Sequence, residues 1–135
     1  MSDVKRSLAL LLMFPVLVAC QQAPASGGTY STGGDPTDDP CARVVSAIGY
    51  ADLLLEPEGR EDEQYFEDAV LGRLAEVRGI TLQFGPRLPG SLSDAVRTVE
   101  ATTAKLSKAD VPREQQVALL KEYRGAASRI ERTCA

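Results

Sequence analysis

The sequence predicts an all-α fold, an antiparallel up-down-up-down four-helix bundle that follows a disordered linker. Three features lead to this prediction. Apolar residues recur with a helical period in four segments of residues 39–135, and breaks containing Pro or Gly separate these segments. Only residues 80–84 alternate like a strand, and no second segment could pair with them, so they are expected to be helical. The short connections expected between the helices favour antiparallel neighbours.

The first helix is predicted to begin after Asp39 and to end near Glu56. Asp39 is a favoured N-cap residue, and Pro40 suits the first helical position. Pro57 then interrupts the helical pattern. The predicted buried stripe of this helix consists of Val44, Ile48, Ala51 and Leu55.

The second helix is predicted to run from near Glu61 to Phe84, before the break at residues 85–90. Its buried stripe contains Phe66, Val70, Leu74, Val77 and Phe84. The aromatic residues Tyr50, Tyr65, Phe66 and Tyr123 lie on or beside such stripes, and we expect them in the core.

The third and fourth helices follow the same pattern. Ser91 and Asp94 resemble a capping box at the start of the third helix, which ends near Lys108. The fourth helix follows Pro112. The third stripe contains Leu92, Val96, Val99, Thr103 and Leu106; the fourth contains Val117, Leu120, Tyr123, Ala127, Ile130 and Cys134.

The first nineteen residues have the organisation of a secretory signal peptide. Lys5 and Arg6 precede an apolar run that ends at Ala19. This run is shorter than the roughly 20 apolar residues that a membrane span needs, and Pro15 interrupts it. Residues 20–38 are rich in Gly, Ser, Thr and Pro, which is typical of a flexible linker.

Leu17-Val18-Ala19-Cys20 resembles the lipobox of bacterial lipoproteins. The resemblance implies transfer of a diacylglyceryl group to the sulfur of Cys20 and cleavage before this residue. The protein would then be anchored by lipid in the cell membrane or the outer membrane, with its domain outside the cytoplasm. An ordinary signal peptide with an accidental cysteine is the alternative. The predicted organisation is signal peptide 1–19, lipidated cysteine and linker 20–38, and helical domain 39–135.

With Cys20 assigned to lipid, Cys41 and Cys134 remain as a pair. Disulfides form outside the cytoplasm, and both cysteines are in register with the apolar stripes of their helices. An up-down-up-down bundle places the start of its first helix beside the end of its fourth. We therefore expect one disulfide, Cys41–Cys134, to close the bundle; two free buried thiols are the alternative.

Composition argues against several functions. Without residues 1–19 the chain has 13 basic and 18 acidic side chains, so no nucleic-acid partner is expected. The absence of histidine removes the commonest general base and metal ligand. We expect no enzyme activity, metal or cofactor.

The densest charge consists of acidic residues between the first two helices: Glu56, Glu58, Glu61, Asp62 and Glu63. They are a candidate patch for a basic partner or a cation, although they lack the pattern of an EF-hand loop. Helix capping and solubility are the alternative explanation for these charges.

These features together predict a membrane-tethered, non-catalytic interaction or assembly module at the bacterial cell envelope. Its expected partners are the membrane, through the lipid on Cys20, and an envelope protein. A carrier that binds a lipid or small apolar ligand between the helices is the alternative, and an envelope enzyme is a third. The architecture resembles some secretin pilotins, although no motif in residues 39–135 is specific to a family.

Overall fold

The computed structural model describes residues 37–135, which form a bundle of four α-helices. These are α1 (Pro40–Asp52), α2 (Asp68–Phe84), α3 (Ser93–Leu106) and α4 (Arg113–Cys134). Three 3₁₀ turns occupy Glu61–Glu63, Gly85–Arg87 and Gly90–Leu92, and residues 37–135 contain no strand. The all-α prediction is thus confirmed. The predicted signal peptide, Cys20 and nearly all of the linker lie outside the described residues.

The helices bury most residues of the predicted stripes against one another. Val117 and Cys134 are only partly buried, and Leu55 and Phe66, also partly buried, lie outside the helices to which they were assigned. α1 packs against α2 and α4, and α3 packs against α2 and α4. The largest fully buried side chains come from all four helices and the turn before α3: Tyr123, Phe84, Ile48, Leu74, Leu92, Leu106, Leu120 and Ile130. Each leucine, isoleucine and phenylalanine in this set contributes roughly 1.5–3 kcal/mol through removal of its apolar surface from water.

The predicted disulfide is confirmed. Cys41 and Cys134 are bonded, with their Cα atoms 5.4 Å apart and a sequence separation of 93 residues. Both are partly buried against the core, as expected from their register. The bond joins the first turn of α1 to the last turn of α4, so it ties together the two ends of the helical domain.

Of the two helix caps predicted from the sequence, the one at the start of α1 is confirmed and the one at the start of α3 is wrong. The Asp39 carboxylate accepts hydrogen bonds from the backbone N–H groups of Cys41 and Ala42, both at 3.3 Å, and so caps α1 as predicted. The capping box of Ser91 and Asp94 does not form. Ser91 lies inside a 3₁₀ turn, so Leu92 occupies the N-cap position, and Asp94 pairs with Arg97.

Residues 80–84 complete α2 and are helical, as predicted. The Thr81 hydroxyl, fully buried, donates a hydrogen bond to the Val77 carbonyl at 2.7 Å. α2 then meets α3 closely at Gly85, where an added Cβ would lie 2.7 Å from Cγ1 of Val96. The absence of a side chain at this position therefore permits the close approach.

The predicted boundaries between the first two helices are wrong. α1 ends at Asp52 rather than near Glu56, and α2 begins at Asp68 rather than near Glu61. The intervening residues 53–67 are hereafter called the α1–α2 connection. Some of their backbone groups are bound by side chains from the connection itself and from α4, and others by turn hydrogen bonds, so α-helical hydrogen bonds are not needed to satisfy them.

Candidate functional site

The α1–α2 connection is much longer than the roughly 2–8 residues that usually join helices in a bundle. Connections of this length without secondary structure are usually functional or disordered, and this one contains only the short 3₁₀ turn Glu61–Glu63. This one is ordered, because buried polar side chains bind its backbone. A loop that a rigid scaffold holds in place is the usual location of binding residues.

Gln64 joins the two ends of the connection. Its side chain is buried, with only 3% of the residue exposed. The amide oxygen accepts a hydrogen bond from the Glu56 backbone N–H at 2.7 Å. The amide nitrogen donates to the carbonyls of Tyr65 at 2.9 Å and Leu54 at 3.4 Å. Gln64 therefore brings the backbone after α1 beside the backbone before α2.

Glu61 was expected in an exposed acidic patch, but it is 4% exposed. Its Oε1 atom accepts a hydrogen bond from the Gly59 backbone N–H at 3.1 Å and lies 3.2 Å from Nε of Arg124. Burial raises the pKa of this carboxyl, but the backbone N–H groups of Glu61 and Gly59 and the charges of Arg124 and Lys121 outweigh burial. The pKa of Glu61 thus lies below its ordinary value. Glu61 is a structural anchor of the connection.

Two arginines of α4 hold the same segment. Arg113 donates hydrogen bonds to the carbonyl of Gln64 at 2.9 Å and to that of Asp62 at 2.6 Å. Arg124 donates to the carbonyl of Glu56 while it pairs with Glu61. A guanidinium group presents several donors in a fixed plane, so one arginine can bind two separate acceptors. α4 thereby fixes the shape of the connection.

Four of the five exposed large apolar side chains in the described part of the chain lie in or beside the connection. They are Tyr50 (56% exposed), Leu53 (78%), Leu54 (41%) and Tyr65 (77%), hereafter the apolar surface. Tyr50 lies in the last turn of α1, and Leu53 and Leu54 follow in the turn that ends this helix, where the Leu54 N–H donates to the Ala51 carbonyl at 3.0 Å. The guanidinium of Arg73 lies 5.9 Å from the centre of the Tyr50 ring.

The prediction of Tyr50 and Tyr65 in the core was therefore wrong, whereas that of Tyr123 was confirmed. Tyr50 lies on a different face of α1 from Ile48 and Ala51, which are buried. Tyr65 precedes α2 because this helix begins later than predicted. Tyr50 is exposed because of the face of α1 on which it lies, whereas Leu53 is exposed beyond the end of this helix.

The remaining acidic residues of the candidate patch lie in the same segment. Glu58, Asp62 and Glu63 are exposed, and Glu56 is half-buried; these four are hereafter the acidic rim. Glu63 pairs with Arg60 at the surface. Among residues 37–135, no three His, Cys, Asp or Glu side chains are grouped closely enough to hold a metal ion. The connection thus carries exposed carboxylates and exposed apolar side chains within one segment, which suits a basic polypeptide better than a single cation.

Titratable groups between α1 and α4 are perturbed by burial. Burial and the nearby carboxylates of Asp52 and Glu131 raise the pKa of the Tyr123 hydroxyl, which has no hydrogen-bond partner. Burial also raises the pKa of Glu131, and Asp52 adds to this effect. The pKa of Asp52 is raised by burial and partly restored by Arg124. These groups form no pairing of a nucleophile with a base.

Three surface clefts bear on the possibility of a ligand carrier. One lies between Gly85 and Glu100, one around the connection of α3 to α4, and one along the surface of these two helices. None is lined by the fully buried core residues Ile48, Leu74 or Leu120. These clefts therefore give no access to the centre of the bundle.

No protein-family model, no curated protein and no solved structure matches this chain. No helix among residues 37–135 is both long and apolar enough to cross a membrane. The shape and chemistry of the α1–α2 connection are therefore the basis for a functional interpretation.

Proposed function

We propose that this protein is a bacterial lipoprotein whose helical domain is a non-catalytic interaction module at the cell envelope. The observation that supports this function is the apolar surface at the α1–α2 connection. Exposed apolar side chains grouped within a polar border are typical of protein interaction sites. The site is also held rigidly by Gln64, Arg113 and Arg124, which reduces the entropy that a partner must remove on binding.

The proposed location rests on the lipobox-like residues that end at Cys20. Two or three acyl chains at this cysteine would provide stable anchoring, since one chain binds membranes only weakly. The linker of residues 20–38 would let the domain extend from the bilayer. The membrane concerned is the cell membrane or the outer membrane, with the domain outside the cytoplasm.

We also propose an antiparallel up-down-up-down order for the four helices. Two observations support it: each helix packs against its neighbour in sequence, and α1 also packs against α4. The disulfide between the first turn of α1 and the last turn of α4 agrees with this order. In such a bundle, the connection lies at the end away from the disulfide. The tether, which enters at residue 37, would then leave the apolar surface accessible.

The interaction function is tested by crosslinking in native membranes. A photoreactive amino acid replaces Leu54 in three proteins: the otherwise wild-type chain, L53N/Y65N and the control L82N. Crosslinked adducts with neighbouring proteins are then compared. Leu82 is an exposed leucine near the C-terminal end of α2, outside the connection. We expect the specific adduct to disappear in L53N/Y65N and to persist in L82N. Equal adducts in all three proteins would refute the function proposed for this surface.

The anchoring proposal is tested separately by fractionation. Substitution of Cys20→Ala removes the thiol that would receive the lipid. We expect the wild-type chain to be found in the membrane fraction and to be labelled by a radioactive fatty acid. We expect the variant to be unlabelled. Incorporation of label into the C20A variant would contradict lipidation at this residue.

A further inference from the structure

Charge is distributed unevenly over the described residues. From Asp52 to Asp68, both included, there are eight acidic side chains and one basic side chain. The other described residues have twelve basic and nine acidic side chains. Arg113 and Arg124 of α4 bind this segment, and with them it has eight acidic and three basic side chains, against nine acidic and ten basic in the rest of the described residues. The negative charge of the domain is therefore still concentrated at the segment that also exposes the apolar surface.

From this coincidence we propose that the α1–α2 connection binds a basic amphipathic polypeptide segment of an envelope protein. The apolar side chains of that segment contact Leu53 and Tyr65, and its Lys or Arg side chains meet the acidic rim. This inference rests on the proposed interaction function and adds the chemistry of the partner. Electrostatic complementarity of this kind accelerates association and excludes wrong partners.

Charge argues against three other occupants. A second copy bound through the same surface would place one acidic rim against another, because a two-fold contact pairs identical surfaces. An anionic membrane surface repels the rim, since it attracts basic rather than acidic segments. Nucleic acid is repelled for the same reason. A basic polypeptide satisfies both the apolar and the charged parts of the surface.

The charges available to such a segment differ around the rim. Glu61 is buried and pairs with Arg124, so it is not available. Glu63 already pairs with Arg60. Glu58 and Asp62 are exposed, and the Asp62 backbone is held in place by Arg113. Glu58 and Asp62 are therefore the residues at which a basic partner gains most, and their charge can be removed without disturbing the buried anchors.

The test measures binding of two helical probe peptides to the full-length protein in phosphatidylcholine nanodiscs. One peptide consists of Leu and Lys in an amphipathic repeat, and the other has Glu in place of every Lys. Binding to empty nanodiscs is subtracted. We expect the Leu/Lys peptide to bind at low salt at least tenfold more tightly than the Leu/Glu peptide, and high salt to reduce this preference because it screens exposed charges.

Matched variants distinguish the effect of charge in the connection on peptide binding from the effect of the overall charge of the protein. E58Q/D62N and D94N/E122Q each remove two exposed carboxylates, the first pair inside the connection and the second outside it. We expect a tenfold or greater loss of Leu/Lys binding in the first and less than a twofold loss in the second. Loss of binding in L53N/Y65N, with retention in L82N, is expected as well. Circular dichroism of each variant checks that it is folded.

The outcomes distinguish this inference from the interaction function itself. Equal weakening by the two charge variants, or equal binding of the two peptides, would overturn the basic partner. If crosslinking in membranes still depends on Leu53 and Tyr65 in that case, the interaction function stands and its partner has another chemistry. If both fail, the connection is not a binding surface.

Discussion

The ion pair of Glu61 and Arg124 offers the sharpest test of how the α1–α2 connection is held. The perturbation is a double-mutant cycle of E61Q, R124M and the double variant. R124M leaves the Glu61 carboxylate without its partner and removes the donor to the Glu56 carbonyl. E61Q keeps an oxygen that can accept the Gly59 N–H but removes the negative charge.

The magnitudes follow from exposure. The side chain of Glu61 is 5% exposed and that of Arg124 is 15% exposed. A buried charge that loses its partner costs about 3–5 kcal/mol of the free energy of unfolding. We expect about 3 kcal/mol for R124M, because the carboxylate left behind is deeply buried. We expect about 2 kcal/mol for E61Q, because Arg124 still reaches solvent. The double variant should cost about 3 kcal/mol, which gives a coupling of about 2 kcal/mol.

The assay is urea unfolding of the full chain followed by far-UV circular dichroism, since the chain contains no tryptophan for fluorescence. R78M, a variant of an exposed arginine on α2, is the control, and we expect it to change stability by less than about 0.5 kcal/mol. Additive losses in the double variant would refute the proposed coupling. Arg124 would then stabilise the connection through the Glu56 carbonyl rather than through the ion pair.

Three further predictions concern the rest of the domain. Reduction of the disulfide should lower the free energy of unfolding by about 4.6 kcal/mol, because the bond closes a loop of 93 residues; coincident urea curves with and without reductant would contradict this. Gly85→Ala should lower the free energy of unfolding by about 1–3 kcal/mol, because the added methyl group overlaps Val96. Gly49→Ala has open space around its Cβ and should stabilise α1 by up to about 1 kcal/mol. Thermal melts compare the two variants. The stabilisation due to Glu61 is the difference in unfolding free energy between wild type and E61Q. It should be complete at neutral pH and decline as pH falls below the ordinary pKa of 4.5, because folding lowers this pKa. A difference that grows in acid would refute the assignment.

Much of the fold could be predicted because its signals are local or repeat along the chain. The buried stripes of α3 and α4 follow the helical period, and Asp39 caps α1 through contacts two and three residues away. The disulfide followed from the register of Cys41 and Cys134 and from the expected compartment. Each of these inferences used only the sequence pattern, without knowledge of a contact between distant residues.

The α1–α2 connection could not be predicted in this way. Its acidic residues were visible, but the sequence pattern placed Glu61 at a helix start and Tyr65 in a buried stripe. Arg113 and Arg124, which hold the segment, lie about fifty to seventy residues away along the chain. No periodic pattern records that an arginine on one helix binds a carbonyl in a distant loop.

The sequence by itself therefore determined the helical class, the buried stripes and the cysteine pair, because helical periodicity and cysteine register are properties of short segments. Only the tertiary structure decided where α1 ends and α2 begins, and hence which side chains face solvent. Gln64 and the arginines of α4, together with turn hydrogen bonds, bind backbone groups that α-helical hydrogen bonds would otherwise have satisfied. The balance between these two sets of hydrogen bonds depends on contacts that exist only once the four helices are packed.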